Sequence, residues 1–274
     1  MDVDIWLAPL SQSRAVLAGC IAVLCPSEVE RASRYATAEL RSRFAFSRGA
    51  LRHILSCYTD EPPSALKFDS GPYGKPLLRH SACCFNVSHS GLLMACAVSQ
   101  KPVGVDIEPM REIPLMLAIA SKHFAVGEYK RLVTLPAVYR TRGFFECWTR
   151  KEALIKATGL GLSQGLDRFE VTFGPGVLPK LVQINDLSDD CEHWELHSFD
   201  LAEDHCGAIA VRARNIRLRF AQLGTDKIAG PAVELQNLHG PKSELLAKAG
   251  VEGQKTKAYS SADSLLPKVI EPGR

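Results

Sequence analysis

The sequence has few of the features that mark several common protein classes. Its nine cysteines form an odd set without a Cys-x-x-Cys pair, so neither a disulfide framework nor a zinc site is indicated. No apolar run approaches the roughly 18 residues that span a bilayer. Two acids, Asp2 and Asp4, stand where a secretory signal needs basic residues. We therefore expect a cytoplasmic protein that has reduced cysteines and no membrane partner.

Charge of one sign is also scarce. The formal net charge of +3 over 274 residues gives no reason to expect a nucleic-acid partner, although six arginines lie within residues 31–52. The phosphate-binding pattern G-x-x-x-x-G-K-[ST] is absent, which excludes a Walker-type nucleotide site. What remains is a composition of 46% hydrophobic and 23% charged residues, typical of a globular protein.

Hydrophobic periodicity predicts helices followed by strands, and then the same order again. The expected strands are Val3–Leu7, Cys84–Val87, Leu92–Val98, Val103–Ile107, Arg168–Phe173, His193–Phe199 and Ala208–Arg212. The expected helices are one capped by Ser27, then Glu39–Tyr58, Pro114–His123, Val126–Leu135 and Arg140–Ala157, the last ending at Gly159.

This order predicts an α+β fold made of two halves, with a boundary near residues 100–102. Residues 1–101 would form the N-terminal half and residues 102–223 the C-terminal half. Residues 224–274 contain a single aromatic residue, Tyr259, together with six glycines and four prolines. That composition predicts a weakly ordered C-terminal tail whose removal would leave the activity of the protein largely unchanged.

Two acids follow an apolar strand segment. Asp106 and Glu108 lie two residues apart after Val103–Val105, so both side chains should project from one face at the end of a buried strand. Mg²⁺ prefers such oxygen ligands and keeps part of its coordination for phosphate and water. The alternative is an exposed strand edge that merely carries two solvated acids.

The longest predicted helix repeats a spacing of four residues through Trp148, Glu152 and Lys156, which places them on one face. In one interpretation, Glu152 completes a metal site and Lys156 neutralises charge on phosphate oxygens. In the other, glutamate and lysine form a surface ion pair and the tryptophan is a core anchor. The helix alone does not separate these alternatives.

Two further segments carry polar groups that suit a phosphate ligand. His89, in Asn86–Ser90, sits at a predicted strand end and could donate a hydrogen bond to phosphate, or could be a structural histidine. The turn Gly71–Pro76 contains Lys75. It could be a simple turn with an exposed lysine, or a rim that brings backbone groups and the lysine near a nucleotide.

Taken in order and spacing, four segments resemble the 4′-phosphopantetheinyl transferases of the larger, surfactin-synthetase-activating type. These segments are Gly71–Pro76, Phe85–Ser90, Val103–Glu108 and Trp148–Lys156, and the resemblance covers roughly residues 1–220. It implies two similar α+β halves in a pseudo-twofold arrangement, with the active site in the cleft between them. It also implies a monomer that binds coenzyme A and Mg²⁺ and modifies a serine of an apo acyl or peptidyl carrier protein.

The resemblance implies a role for each matching residue. Asp106, Glu108 and Glu152 would hold Mg²⁺ against the pyrophosphate of coenzyme A. The groups implied to bind the coenzyme itself are Ser88, His89 and Lys156 at the pyrophosphate, Gly74, Lys75 and Pro76 near the adenosine and its 3′-phosphate, and Arg31 and Arg43 at the nucleotide phosphates. Glu152 would be the general base, directly or through a water molecule, with Glu108 as the reserve; His89 and Lys156 complete the catalytic set.

One position departs from the family pattern, because Glu28 stands where close relatives often carry a second basic residue. Arg41 or Arg48 could substitute for it. The carrier protein is expected on the segment Pro114–Leu135, through Met116, Leu117, Phe124 and Tyr129, which could equally be core residues. Two other functions remain open from the sequence: a Mg²⁺-dependent hydrolase of coenzyme A-like pyrophosphates, and a coenzyme A-binding module without catalysis.

Overall fold

A computed structural model describes residues 1–71, 73–161, 165–184, 191–202 and 205–223. The predicted C-terminal tail, residues 224–274, lies outside the described residues, as does Pro72 of the glycine-rich turn. Within the described ranges, no helix is both long enough and apolar enough to cross a membrane.

Helices and strands occur in groups along the described chain: one strand, three helices, five strands, three helices and five strands. The helices are α1 (Arg14–Ala22), α2 (Pro26–Ser33), α3 (Ala38–Ser56), α4 (Met116–His123), α5 (Val126–Thr134) and α6 (Ala137–Thr158). The strands are β1 (Asp2–Pro9), β2 (Phe68–Ser70), β3 (Pro76–Leu78), β4 (Cys84–Ser90), β5 (Leu93–Ser99), β6 (Val103–Pro109), β7 (Phe169–Val171), β8 (Leu181–Ile184), β9 (Glu195–Ala202), β10 (His205–Val211) and β11 (Arg217–Gln222). The predicted α+β class is confirmed.

Two larger sheets form the centre of the molecule. The first has the order β11-β1-β5-β4, and the second has the order β6-β10-β9. β11 pairs in parallel with β1, so the last described strand returns to the sheet that the first strand began. β2 with β3 and β7 with β8 form separate short hairpins.

Each large sheet packs one face against a long helix and the other face against the opposite sheet. Trp6 and Met94 of the first sheet pack with Phe46 and Ile54 of α3. The alternate residues of the same strands share a cluster with the second sheet; they include Val3, Ile5, Leu7, Ala95, Val105, Ile107, Ile209 and Val211. The period-two alternation of strands therefore produces four layers: helix, sheet, sheet, helix.

Glycine permits the closest contact in the last pair of layers. A Cβ at Gly104 of β6 would lie 2.0 Å from the carbonyl oxygen of Ala153 and 2.4 Å from the amide nitrogen of Ala157, both in α6. β6 and α6 therefore touch backbone to backbone, which a larger residue would prevent. This contact sets the distance between the two elements that carry the predicted metal and phosphate ligands.

Most predicted elements are present, with shifted ends. α6 ends at Gly159, which adopts the predicted left-handed conformation with φ of 71°. The N-cap at Ser27 is wrong: α2 begins at Pro26 after Cys25, and the Glu28 side chain accepts the Cys25 amide at 3.0 Å. Helix α1 and strands β2, β3, β8 and β11 were not predicted. α1 has only nine residues, and β11 alternates arginine with apolar residues, a pattern that charge obscures.

Candidate active site

The candidate site lies between β6 and α6, beside the end of β4. Even-numbered residues of β6 face α6, as the Gly104 contact shows, whereas Val105 and Ile107 face the first sheet. Asp106 therefore projects toward α6, and Glu108 follows on the same face where the strand becomes less buried. The prediction that both acids share one face at the end of a buried strand is confirmed.

Lys156 of α6 reaches the first of these acids directly. Its Nζ lies 2.6 Å from Asp106 Oδ1 and also donates to Ser88 Oγ at 3.2 Å and to the Val105 carbonyl at 3.3 Å. Ser88 Oγ donates in turn to Asp106 Oδ1 at 2.9 Å. One hydroxyl, one carboxylate and one ammonium, drawn from β4, β6 and α6, thus form a single hydrogen-bonded group.

β4 meets β6 through its side chains. Asn86 Oδ1 accepts the Val105 amide at 2.9 Å, Ser88 Oγ accepts the Ile107 amide at 3.3 Å, and Ser90 Oγ donates to Glu108 Oε2 at 3.1 Å. Sequence reasoning did not assign Asn86 and Ser90 to the site. The signal was present, because polar residues at 86, 88 and 90 occupy one face of a strand whose other face is partly apolar.

Glu152 completes the set of buried acids. It is 3% exposed, and neither its Oε1 nor Asp106 Oδ2 accepts a hydrogen bond from any described residue. Buried carboxylate oxygens without a partner are costly, since each loses its hydration without replacement. These two orphaned oxygens mark the place where the site is incomplete without a further partner.

The pKa values of the buried acids also show that the cluster lacks a positively charged partner. Burial and the Asp106 charge raise the pKa of Glu108 to about 8 and that of Glu152 to about 7. Burial also raises the pKa of Asp106, although Lys156 opposes that shift. Burial lowers the pKa of Lys156, but Asp106 and Glu152 outweigh it and the net direction is upward. Lys156 is therefore charged, while the acids together have more negative charge than one ammonium can balance.

The donor chemistry of this cluster fits a hard divalent cation, since the Asp106 charge acts on two further carboxylates, Glu108 and Glu152. Across the described ranges, no three His, Cys, Asp or Glu side chains stand close enough together to hold a metal in the present arrangement. The orphaned oxygens of Asp106 and Glu152 are the observation that fits the cation. The ordering of ligands around it would require side-chain movement.

The lysine of the glycine-rich turn is not the exposed residue that one interpretation expected. Lys75 Nζ donates to the carbonyls of Val103 at 3.1 Å, Lys156 at 2.6 Å and Ala157 at 3.2 Å. Burial lowers its pKa to about 8. Gly74, with φ of 80°, and Tyr73 form the exposed part of the turn, while Pro76 begins β3.

His89 lies on the other side of β4 from the acid cluster. Its neighbours Ser88 and Ser90 are buried toward β6, whereas His89 is exposed and pairs in register with Met94 on the face that α3 covers. The structure therefore brings Ser88, Asp106 and Lys156 into one group and leaves His89 outside that group.

The predicted arginines occupy the corner between α2 and α3. Arg31 is exposed, with its guanidinium carbon 5.5 Å from the centre of the Phe44 ring. Arg43 forms an ion pair with Glu39 at 2.8 Å. Neither residue contacts the acid cluster.

Glu28, the departure from the family pattern, has a structural use. It is buried, and it accepts hydrogen bonds from Arg48 at 2.6 Å and Arg52 at 2.8 Å. Burial opposes ionisation, but these bonds and the Cys25 amide hold the pKa of Glu28 below its usual range. Of the two possible substitutes, Arg48 is engaged by Glu28, and Arg41 is exposed and donates to the Tyr35 carbonyl at 2.9 Å.

The helices expected to receive a carrier protein show both buried and exposed apolar residues. Phe124 is 3% exposed and stacks on Phe144 with ring centres 5.3 Å apart, so it is a core residue. Met116, Leu117 and Tyr129 are partly buried against the same cluster. The exposed large apolar side chains of this segment are Leu115, Val126 and Val133.

A serine-nucleophile motif occurs in the sequence but lacks the required context. Residues 161–165 read G-x-S-x-G, and the segment follows the C-terminal end of α6 and precedes a 3₁₀ turn and β7. The nucleophile elbow of hydrolases instead connects a strand to a helix. The three central residues of this segment lie outside the described ranges.

The fold and site together define an α+β protein with a buried carboxylate cluster and a charged lysine, suited to a cation and phosphate oxygens. The family model of the 4′-phosphopantetheinyl transferase superfamily matches residues 102–210, which contain Asp106, Glu108, Glu152 and Lys156.

Similar proteins include the 4′-phosphopantetheinyl transferase HetI of a Nostoc species, 37% identical over 185 residues that cover 66% of this chain and 78% of the relative. A putative 4′-phosphopantetheinyl transferase of a Synechocystis species is 37% identical over 209 residues, covering 73% of this chain and 81% of the relative. The 4′-phosphopantetheinyl transferase Sfp of Bacillus subtilis is 33% identical over 149 residues, covering 54% and 66%. The chain belongs to the 4′-phosphopantetheinyl transferase superfamily, which confirms the resemblance and the expectation of an enzyme.

Proposed function

We propose that this protein transfers the 4′-phosphopantetheine arm of coenzyme A to a serine of an apo acyl or peptidyl carrier protein, in a Mg²⁺-dependent reaction that releases 3′,5′-adenosine bisphosphate. Family membership supports the transfer. The observation that carries the metal dependence is the pair of buried, unpartnered oxygens, Asp106 Oδ2 and Glu152 Oε1, in a cluster where acids outnumber the lysine.

Asp106, Glu108 and Glu152 would hold Mg²⁺, with Ser90 orienting Glu108 through its hydrogen bond. When bound, the cation would neutralise charge on the pyrophosphate and orient it for in-line displacement. The raised pKa values of Glu108 and Glu152 support this assignment, because a bound cation removes the repulsion that keeps them protonated.

Lys156 and Ser88 are the candidates for contact with the pyrophosphate oxygens. Lys156 is held charged beside Asp106, so it can stabilise negative charge as it develops on the leaving phosphate. His89 could approach the same ligand from the other face of β4, since β4 is an edge strand of its sheet.

The nucleotide end is assigned to residues of the first half of the chain. The rim Gly74, Lys75 and Pro76 would approach the adenosine, chiefly through its exposed backbone at Gly74, because the Lys75 ammonium is engaged on carbonyls. Arg31 and Arg43 would meet the phosphates at the other side of the nucleotide. Arg43 would exchange its surface pair with Glu39 for a phosphate, which costs little because exposed pairs contribute about 0–1 kcal/mol.

The chemical step requires a base for the serine hydroxyl. Glu152 is the candidate, directly or through a water molecule, because its buried carboxylate lies near Lys156 and has an oxygen that accepts no hydrogen bond from the described residues. The serine oxygen forms a bond to the β-phosphorus, the bond from that phosphorus to the bridging oxygen breaks, and Glu152 takes the proton. Glu108 is the reserve base. Positioning of the two reactants supplies most of the acceleration in such transfers.

The division into two halves is part of this proposal. Residues 1–101 and 102–223 would form pseudo-twofold related units, each with an antiparallel sheet covered by one long helix, α3 or α6. β11 crosses this division because it pairs with β1. A monomer in the cytoplasm, as expected from the sequence, completes the proposal.

The carrier protein would dock at the helices that follow β6. Leu115 and Val126 are exposed there, and Lys122, Lys130 and Arg131 add positive charge that suits an acidic carrier. The docked serine would then approach the end of β6, where Glu108 becomes partly exposed.

The test incubates the purified protein with coenzyme A, Mg²⁺ and a panel of apo carrier proteins, and measures the intact mass of each carrier. A gain of one phosphopantetheine arm per carrier, lost when the serine is replaced by alanine, is the expected result. Release of adenosine bisphosphate without any carrier would contradict the transferase and favour a hydrolase. Binding of coenzyme A with neither outcome would favour a module without catalysis.

A further inference from the structure

Lys75 of the glycine-rich turn reaches the later part of the chain with its side chain. Its backbone belongs to the loop between β2 and β3, while its Nζ contacts two elements of the later part of the chain. Because all three acceptors are backbone carbonyls, the contact does not depend on which side chains surround it. The ammonium therefore holds backbone segments in place and not side chains.

Two of the three acceptors lie at the C-terminal end of α6. The carbonyls of Lys156 and Ala157 belong to the last turn, where intrahelical partners are missing and the helix dipole is negative. A lysine ammonium is well suited to this position, since it offers three donors and a positive charge. Lys75 therefore caps α6 from a different part of the chain.

The third acceptor is the carbonyl of Val103, at the start of β6. One ammonium thus bonds both to the strand that carries Asp106 and to the helix that carries Lys156. The same two elements touch at Gly104, where a Cβ would collide with Ala153 and Ala157. Lys75 lies at the end of this contact and bonds to both elements, the start of β6 and the last turn of α6.

We infer that Lys75 is a positioning residue that holds the last turn of α6 against the start of β6 and so fixes Lys156 relative to Asp106. The inference rests on the proposed function, because it matters for catalysis only if those groups act on the pyrophosphate. The Lys75 ammonium donates directly to the Lys156 carbonyl, so any displacement of that peptide moves the Lys156 side chain as well. A misplacement of about 1 Å can cost about 100-fold in rate.

The alternative role for Lys75 is direct contact with a nucleotide phosphate, and the two roles predict different kinetics. A phosphate contact contributes to binding, so its loss weakens affinity for coenzyme A and for adenosine bisphosphate. A positioning contact leaves ground-state binding largely intact and lowers the rate of the chemical step.

The experiment compares Lys75→Met with the wild-type protein and with Lys101→Met, an exposed lysine close to the same strand start. Three quantities are measured: kcat and KM for transfer to an apo carrier, Kd for 3′,5′-adenosine bisphosphate, and amide hydrogen exchange in residues 155–159. We expect Lys75→Met to lower kcat about 10- to 100-fold, with less than about a threefold change in Kd and faster exchange in the last turn of α6. Lys101→Met should change none of these quantities.

Lys75→Gln, a shorter neutral donor, replaces the methionine variant if that variant does not fold. Kd raised tenfold or more with kcat and exchange unchanged would overturn the inference and assign Lys75 to the phosphate. Unchanged exchange in residues 155–159 would also overturn it. If the wild-type protein transfers nothing, the proposed function fails, while the exchange measurement still decides whether Lys75 holds the helix.

Discussion

Lys151 and Glu152 are neighbours on α6, and each belongs to a buried cluster of charged groups of a different kind. Lys151 is fully buried and forms an ion pair with Glu128 of α5 at 2.7 Å. Glu152, equally inaccessible, faces Asp106 and Lys156 on β6 and α6. One helix therefore separates two clusters. In the closed cluster, Lys151 and Glu128, the two charges pair with each other; in the open cluster, Asp106, Glu108, Glu152 and Lys156, acids outnumber the lysine.

The closed cluster satisfies all its members. Lys151 Nζ also donates to the Leu166 carbonyl at 2.7 Å and lies 4.2 Å from the centre of the Phe169 ring. Glu128 accepts the backbone amides of Ala125 at 2.9 Å and Val171 at 2.7 Å. One acid faces one base, and the remaining polar atoms bond to backbone, as a buried ion pair requires. Its task is to join α5, α6 and β7.

The open cluster differs from the closed cluster in its net charge and in the hydrogen bonding of its carboxylate oxygens. Asp106, Glu108 and Glu152 lie near one ammonium, that of Lys156, and Glu108 also interacts with the Arg111 guanidinium, so the acids outnumber the bases when all are ionised. Two of the carboxylate oxygens accept no hydrogen bond from the described residues. Such a cluster costs stability, and strained or unsatisfied groups of this kind concentrate where a ligand or a reaction needs them. A divalent cation would cancel the excess negative charge.

The largest expected effect comes from removing the central acid of the open cluster. Asp106→Ala should reduce Mg²⁺-dependent transfer at least about a thousandfold, since cation binding and Lys156 placement are both lost. The fold should stay intact, because the variant removes an unsatisfied buried oxygen and the Lys156 ammonium keeps Glu152 and Glu108 as nearby negative charges. Transfer rates and thermal unfolding are measured together. Normal turnover in this variant, with verified Mg²⁺ dependence, would refute the metal assignment.

Disrupting the closed cluster should have the opposite effect: the protein should lose stability while its transfer activity stays unchanged. Glu128→Gln leaves the buried Lys151 ammonium without a charge partner, which destabilises a protein by about 3–5 kcal/mol. Transfer at low temperature, and its dependence on Mg²⁺ concentration, should stay close to wild type. Denaturant unfolding and the carrier mass assay give both quantities. Lost activity at unchanged stability would show that the two clusters have been assigned the wrong way round.

The two clusters also differ in how far the sequence predicts them. Period two in a strand placed Asp106 and Glu108 on one face, and period four in a helix did the same for Glu152 and Lys156, while the family resemblance assigned all four to one site. The Lys151–Glu128 pair joins residues 23 apart, on different helices whose packing no local pattern encodes. Sequence periodicity predicts which residues share a face of a helix or strand, but it does not predict which residues of another element that face contacts.

In the fold as well, elements defined by local patterns were predicted, whereas pairings between distant segments were not. The long helices α3 and α6 and the apolar strands β5 and β6 were predicted within a few residues. β11 was missed because its pairing with β1 joins Asp2 to Arg217 and Asp4 to Arg219, across almost the whole described chain. The direction of the Lys75 side chain was also unpredictable, since a flexible lysine in a turn can point to solvent or inward.

Mg²⁺ should stabilise the protein in a way that depends on pH. Glu108 and Glu152 have pKa values of about 8 and 7 when folded, above the ordinary value of 4.5, so the folded protein holds extra protons between these limits. Stability of the metal-free protein therefore falls as pH rises from about 5 to 8. At pH 8.5 Mg²⁺ in about 100-fold excess over its Kd should raise Tm by roughly 5–10 °C.

At pH 6 the same Mg²⁺ concentration should raise Tm by much less, because protons compete for the carboxylates. Differential scanning fluorimetry at both pH values provides the measurement, and Asp106→Ala provides the control that should show little shift at either pH. Equal shifts at pH 6 and pH 8.5 would mean that the cation binds elsewhere.

The smallest expected effect concerns a residue that only orients the open cluster. Ser90→Ala removes the hydroxyl that donates to Glu108 Oε2 and should raise the Mg²⁺ concentration for half-maximal transfer about tenfold, a typical cost of losing a group behind a metal ligand. The rate at saturating Mg²⁺ should recover, since Glu108 itself is still present. Ser121→Ala, on the exposed face of α4, is the matched control. If saturating Mg²⁺ does not restore the rate, Ser90 has a part in the chemical step, and the open cluster extends into β4.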